Sequence, residues 1–134
     1  MFEYFVDTWL IIAFLDRRDQ HHRTADRLTS AMDDRTLVTH DGVWTEVLAY
    51  FSDEGSKSRR ASVQYLRESR GRWTVLQIDR SLFDRAVLLY EERSDKQYSL
   101  TDCMSMIVMR DRGITHVLTN DHHFRQEGFK VLSE

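Results

Sequence analysis

Short runs of strand character alternate with helix-periodic segments along the whole chain, and this alternation limits the possible folds more than any other feature. Phe2 to Val6, Leu37 to Thr39, Trp73 to Ile78, His116 to Leu118 and Lys130 to Leu132 read as short buried strands. Thr8 to Leu15 is almost wholly apolar, as in a helix buried on several sides. His21 to Met32, Asp41 to Ser52, Arg80 to Arg93 and Thr101 to Arg112 carry apolar residues at spacings of three and four, and Gly113 ends the last of them. A basic helix is expected near Ser58 to Arg70, a polar loop over Asp95 to Ser99, and a short helix through Asp121 to Glu127. Strands separated by helices predict an α/β domain whose parallel sheet is covered on both faces. The 134 residues, with no repeat, no linker and no proline, are expected to form one domain over 1–134.

The longest apolar run, Trp9 to Leu15, falls far short of the about 20 residues that cross a bilayer, so no membrane helix is expected. The first residues include Glu3 and Asp7 where a secretory signal would be basic, which points to the cytoplasm. The single cysteine, Cys103, excludes an intrachain disulfide and a multi-cysteine metal site. The net charge of −3 argues against a globally basic nucleic-acid binder. Its distribution is more informative. Of 19 basic residues only Lys57, Lys96 and Lys130 are lysines, and arginine suits bidentate phosphate contacts. Lys57, Arg59, Arg60, Arg67, Arg70 and Arg72 face only Glu68 in charge over one stretch. That stretch is either a solvated helix face or a strip that follows a phosphate backbone, with Arg59, Arg60 and Arg67 as its candidate RNA contacts.

Four acids interrupt apolar patterns. Asp7 and Asp121 stand at the carboxyl ends of the first and fourth expected strands, where open α/β sheets bind ligands. Asp102 opens an apolar helix, and Glu46 shares a helix face with Val43, Ala49 and Tyr50. Taken singly, Asp7, Asp102 and Asp121 also fit helix capping, worth about 1 kcal/mol each. Glu46 has little solvated surface to occupy. Together the four would form a pocket of like charges, which raises pKa values or demands a counter-ion. Oxygen donors of this kind suit Mg2+ or Mn2+. A carboxylate-held divalent metal with arginines nearby points to phosphodiester hydrolysis.

These residues carry a resemblance. Val6-Asp7-Thr8, His21 with Ala25, Thr45-Glu46-Val47, Ser99 to Cys103 with Ser105-Met106, Gly113-Ile114, Leu118 to Phe124 and Gly128-Phe129 resemble the PIN-domain family over essentially the whole chain. The likeness is strongest to the VapC-type ribonuclease toxins of type II toxin–antitoxin systems. It implies a three-layer α/β/α domain with about five parallel strands, and metal-dependent endoribonuclease activity. It implies Asp7, Glu46, Asp102 and Asp121 as both catalytic residues and ligands of Mg2+ or Mn2+. It further implies an RNA substrate, a separate antitoxin protein and a homodimer.

Thr8, Ser99, Thr101, Thr119 and Asn120 adjoin the four acids and are candidates to orient carboxylates or metal-bound water. The histidines show no zinc spacing, and His123 is expected to fix the turn that places Asp121. Cys103 is expected to pack in the core, as are Trp9, Phe14, Trp44, Phe51 and Trp73. Two other readings stay open: an RNA-processing nuclease of the same fold without an antitoxin, and a phospho-acceptor signalling domain. The latter needs an acceptor aspartate, for which Asp79 stands after the third strand, and a lysine near the last strand. Lys130 lies at the start of that strand rather than its end.

Overall fold

A computed structural model describes residues 1–134. Five parallel strands, β1 (Tyr4–Val6), β2 (Leu37–His40), β3 (Thr74–Leu76), β4 (His116–Leu118) and β5 (Lys130–Leu132), form one sheet in the order β3-β2-β1-β4-β5. Register is set by Tyr4 against both Leu37 and His116, with Val6 opposite Leu118. The α/β class and strand number expected from the pattern hold. The helices are α1 (Thr8–Leu15), α2 (His22–Ser30), α3 (Asp41–Tyr50), α4 (Ser56–Arg70), α5 (Arg80–Glu92), α6 (Leu100–Arg112) and α7 (His123–Gln126). A 3-10 turn over Asp34–Thr36, which the pattern did not reveal, leads into β2. The first strand is shorter than expected because Phe2 is exposed beyond its pairing.

Right-handed crossovers put α1 to α4 on one face of such a sheet and the β3-to-β4 connection on the other. The packing of α1 on α2 and α3, and of α5 on α6, agrees. The strand order reverses at β1, between β2 on one side and β4 on the other. In open α/β sheets such a reversal is where ligands bind, here at the carboxyl ends of β1 and β4. No helix is long and apolar enough to cross a membrane.

The core runs through Phe5, Val6, Leu10, Ile11, Val38, Trp44, Met106, Val117, Leu118 and Phe124. Trp44, Phe51 and Trp73 are buried as expected, whereas Trp9 and Phe14 are half-buried against the core edge. Buried Cys103 packs there too, and burial pushes its thiol up to about 11. One polar chain crosses this core. His40 caps α3 by accepting the Gly42 N–H on Nδ1 at 3.0 Å, so Nε2 carries the proton and faces Ser105 Oγ at 2.9 Å. Ser105 in turn donates to the Thr101 carbonyl at 3.0 Å. Burial lowers the His40 pKa to about 4, keeping the ring neutral in this role. A Cβ at Gly42 would lie 2.9 Å from that ring, so the approach needs glycine. The chain ties β2 and α3 to α6.

Candidate active site

Asp7 leaves β1 and enters α1. Its backbone N–H donates to the Leu118 carbonyl at 3.3 Å, which keeps it beside β4. It occupies the N-cap position of α1, yet its side chain makes no capping hydrogen bond there. Instead Oδ2 accepts a hydrogen bond from Thr119 Oγ1 at 2.7 Å in a buried contact. Thr119 Oγ1 also accepts the Asp121 N–H at 3.1 Å, so one hydroxyl fixes an acid on each of two strand ends.

Asp102 reaches the same crevice from α6. It sits in a capping box: Ser99 Oγ accepts the Asp102 N–H and Asp102 Oδ2 accepts the Ser99 N–H, both at 3.0 Å. The capping reading is therefore realised in a residue that also lies close to Asp7 and Asp121. Asp121 Oδ1 accepts the His123 N–H at 2.9 Å. The turn role expected of His123 is met by its backbone. Its ring adds something the sequence pattern did not suggest. Nδ1 lies 3.3 Å from Asp121 Oδ1 and 3.5 Å from Asp102 Oδ2. One donor atom from each of Asp102, Asp121 and His123 falls within 4.8 Å of the others.

Glu46 stands outside that close group. It is half-buried on α3 and accepts a hydrogen bond from Thr8 Oγ1 at 2.6 Å. Thr8 follows Asp7 directly, so this contact holds Glu46 near the mouth of the crevice. Thr8 and Thr119 donate to Glu46 and Asp7, and Ser99 shares the capping box with Asp102. Thr101 contributes its carbonyl to the Ser105 contact, and Asn120 points outward, exposed.

The electrostatics follow from this geometry. None of the four acids pairs with an arginine or lysine. Burial pushes Asp7 up to about 7; the bonds from Thr119 and the Thr8 N–H oppose the rise, and the charges of Asp102 and Asp121 add to it. Burial also raises Asp102, against the Ser99 N–H and with the Asp121 charge. A crevice of unpaired carboxylates attracts a cation, and its oxygen donors suit a hard divalent one. The buried His123 Nδ1, which has no hydrogen-bond partner, faces the same space.

The residues of the signalling alternative are elsewhere. Asp79 is exposed beyond the edge strand β3, where its Oδ1 accepts the Leu82 N–H and caps α5. Lys130 is exposed at the start of β5. Arg59, Arg60 and Arg67 line a shallow hollow of about 450 Å³ on α4 with Val63 and Gln64.

Fold and site define an α/β domain with a carboxylate-lined crevice at its strand-order reversal. The chain belongs to the PIN domain family, whose model matches residues 4–130. It is similar to Mycobacterium tuberculosis VapC20, described as a sarcin-ricin loop cleaving toxin, at 26% identity and a TM-score of 0.86, with 95% of this chain and 96% of that one covered. It shares its fold with the DNA-bound VapBC of Salmonella typhimurium at 18% identity and a TM-score of 0.66, over 98% of each chain. The same holds for FitAcB of Neisseria gonorrhoeae at 14% identity and 0.72, over 96% of each. No curated protein matches the sequence.

Proposed function

We propose that this chain is a divalent-metal-dependent endoribonuclease acting in the cytoplasm as the toxin of a toxin–antitoxin pair. The observation that carries the reading is the convergence of Asp7, Asp102 and Asp121 at the strand-order reversal, with Glu46 at its mouth and no arginine or lysine among them. The likeness to a toxin described as sarcin-ricin loop cleaving supports the choice of substrate class. Asp7, Asp102, Asp121 and Glu46 hold Mg2+ or Mn2+ in this reading. When bound, the metal supplies an activated water and stabilises charge on the leaving oxygen.

The chain's own groups do the rest. Thr119 locks the Asp7 carboxylate, Ser99 locks Asp102, and the His123 N–H locks Asp121. Thr8 holds Glu46 by donating to its Oε1. Arg59, Arg60 and Arg67 would track the RNA backbone. Replacing all three with Gln should then flatten the salt dependence of RNA affinity by roughly 0.7 in slope per lost contact. An antitoxin on a separate chain and a second copy of this chain complete the proposed assembly. The stripe of Phe83, Val87, Leu88 and Tyr90 on α5 is apolar and exposed, and we assign it to that second copy. Sedimentation of Leu88→Glu tests the assignment, a monomer being expected.

The deciding experiment incubates pure protein with structured RNA. Cleavage is expected with added Mg2+ or Mn2+ and is expected to stop with EDTA. Cleavage that survives EDTA overturns the metal mechanism.

A further inference from the structure

We infer that His123 binds the metal through Nδ1, and that this nitrogen tilts the site toward Mn2+ over Mg2+. The inference rests on the proposed nuclease reading and deepens it. Four carboxylates alone would form an all-oxygen set, which suits both ions. Imidazole suits first-row transition ions, whereas Mg2+ keeps to oxygen. One histidine in the set therefore separates the two.

Three observations place it there. Nδ1 is closed off from solvent and meets no hydrogen-bond geometry, and a buried polar atom left so is costly unless something offsets it. It points at carboxylate oxygens of two different elements, at 3.3 and 3.5 Å. Neighbouring donors around an ion with bonds near 2.1 Å lie roughly 3 Å apart, so only a small contraction closes the set.

The ring is also held in that pose. The His123 N–H is committed to Asp121 Oδ1, and the next residue, Phe124, is fully buried. On its flank the ring packs against Tyr98, with centroids 5.4 Å apart. Tyr98 is itself fixed, because its hydroxyl donates to Glu127 Oε2 at 2.9 Å. Glu127 in turn is clamped by Arg93 and Arg110. A histidine needed only to shape the turn would require its backbone alone, not a braced ring.

The test loads the full-length protein with Mn2+ and records pulsed electron paramagnetic resonance. Modulation from a directly bound imidazole nitrogen is expected, and it should vanish in His123→Gln. Calorimetry with each ion should show the Mn2+ to Mg2+ affinity ratio falling on the order of tenfold in that variant. The spectrum of the unaltered protein needs no variant to fold. Bound Mn2+ without nitrogen modulation, or an unchanged affinity ratio in folded His123→Gln, overturns the inference and leaves the nuclease reading standing. Failure of the unaltered protein to bind either ion overturns the nuclease reading itself.

Discussion

Two carboxylates, Glu127 beside Tyr98 and Asp7 at the end of β1, are treated in opposite ways by this fold. The Glu127 side chain is 6% exposed and accepts from Arg93 Nε at 3.0 Å, Arg110 Nη2 at 2.6 Å and the Tyr98 hydroxyl. Burial alone would raise its pKa, but those donors outweigh burial and hold it below the ordinary carboxylate range. Asp7 is more deeply buried, receives a side-chain hydrogen bond from Thr119 alone, and is pushed up to about 7. A chain with 16 arginines places two around a structural acid and none around the crevice acids. The difference separates an acid paired within the fold from acids that no arginine or lysine pairs.

The sharpest way to break that distinction is to remove a crevice charge. Asp7→Asn and Asp102→Asn are each expected to lower RNA cleavage by orders of magnitude, because the lost interaction acts in the transition state. The metal-free proteins should melt no lower than the parent, since each variant relieves like-charge repulsion. Single-turnover cleavage and a thermal melt in EDTA give both readings. A variant that melts far below the parent would put that acid in the same class as Glu127.

Glu127→Gln should do the reverse. Removing one partner of a buried pair costs roughly 3–5 kcal/mol, and the half-exposed arginines here favour the lower end, about 3 kcal/mol. Urea titration measures the loss. Cleavage by the fraction still folded should persist.

Most of the fold was legible because its elements carry strong local signals. The apolar run of α1, the Ser99 cap and Gly113 at the end of α6 are all set within a few residues. The four acids were legible for a related reason: charge inside an apolar pattern needs an explanation. The His123 ring was not legible. Its contact with Asp102 joins α7 to α6 across 21 positions, and its brace through Tyr98 and Glu127 is tertiary. No local periodicity encodes such a contact. The Asp34–Thr36 turn escaped for a simpler reason: Asp33 nucleates it by accepting the Arg35 N–H, a cap with no apolar period behind it.

The pH dependence of stability carries the same comparison with the sign reversed. Asp7 binds its proton more tightly folded than unfolded, so its contribution is greatest below pH 3.8 and is lost as pH rises toward about 7. Glu127 is depressed, so its contribution is full above 4.5 and is lost as pH falls through its folded pKa. The Asp7 shift corresponds to a cost on the order of 4 kcal/mol above neutrality. Melting metal-free Asp7→Asn beside the parent should therefore show a gap of several degrees at pH 8 that closes near pH 4. A gap that is constant across this range would mean that folding leaves the Asp7 pKa unshifted. Saturating Mn2+ or Mg2+ should narrow the gap from the other side by stabilising the parent, through binding to the folded state alone.

The smallest expected effect asks whether the two regions are independent. Tyr98 belongs to both: its hydroxyl serves Glu127 and its ring flanks His123. Tyr98→Phe removes the hydroxyl and keeps the ring. Stability should fall by about 1 kcal/mol, the usual worth of one hydrogen bond, with somewhat more where a charged acceptor loses a donor. Glu127 keeps its two arginines, so no charge is stranded. Mn2+ affinity should stay at the parent value, because the ring still braces the imidazole. If instead Mn2+ affinity falls with stability, the hydroxyl transmits the Glu127 clamp to the crevice. The double variant Tyr98→Phe with His123→Gln then decides the matter: independent regions give additive losses, while a shared brace gives less than the sum.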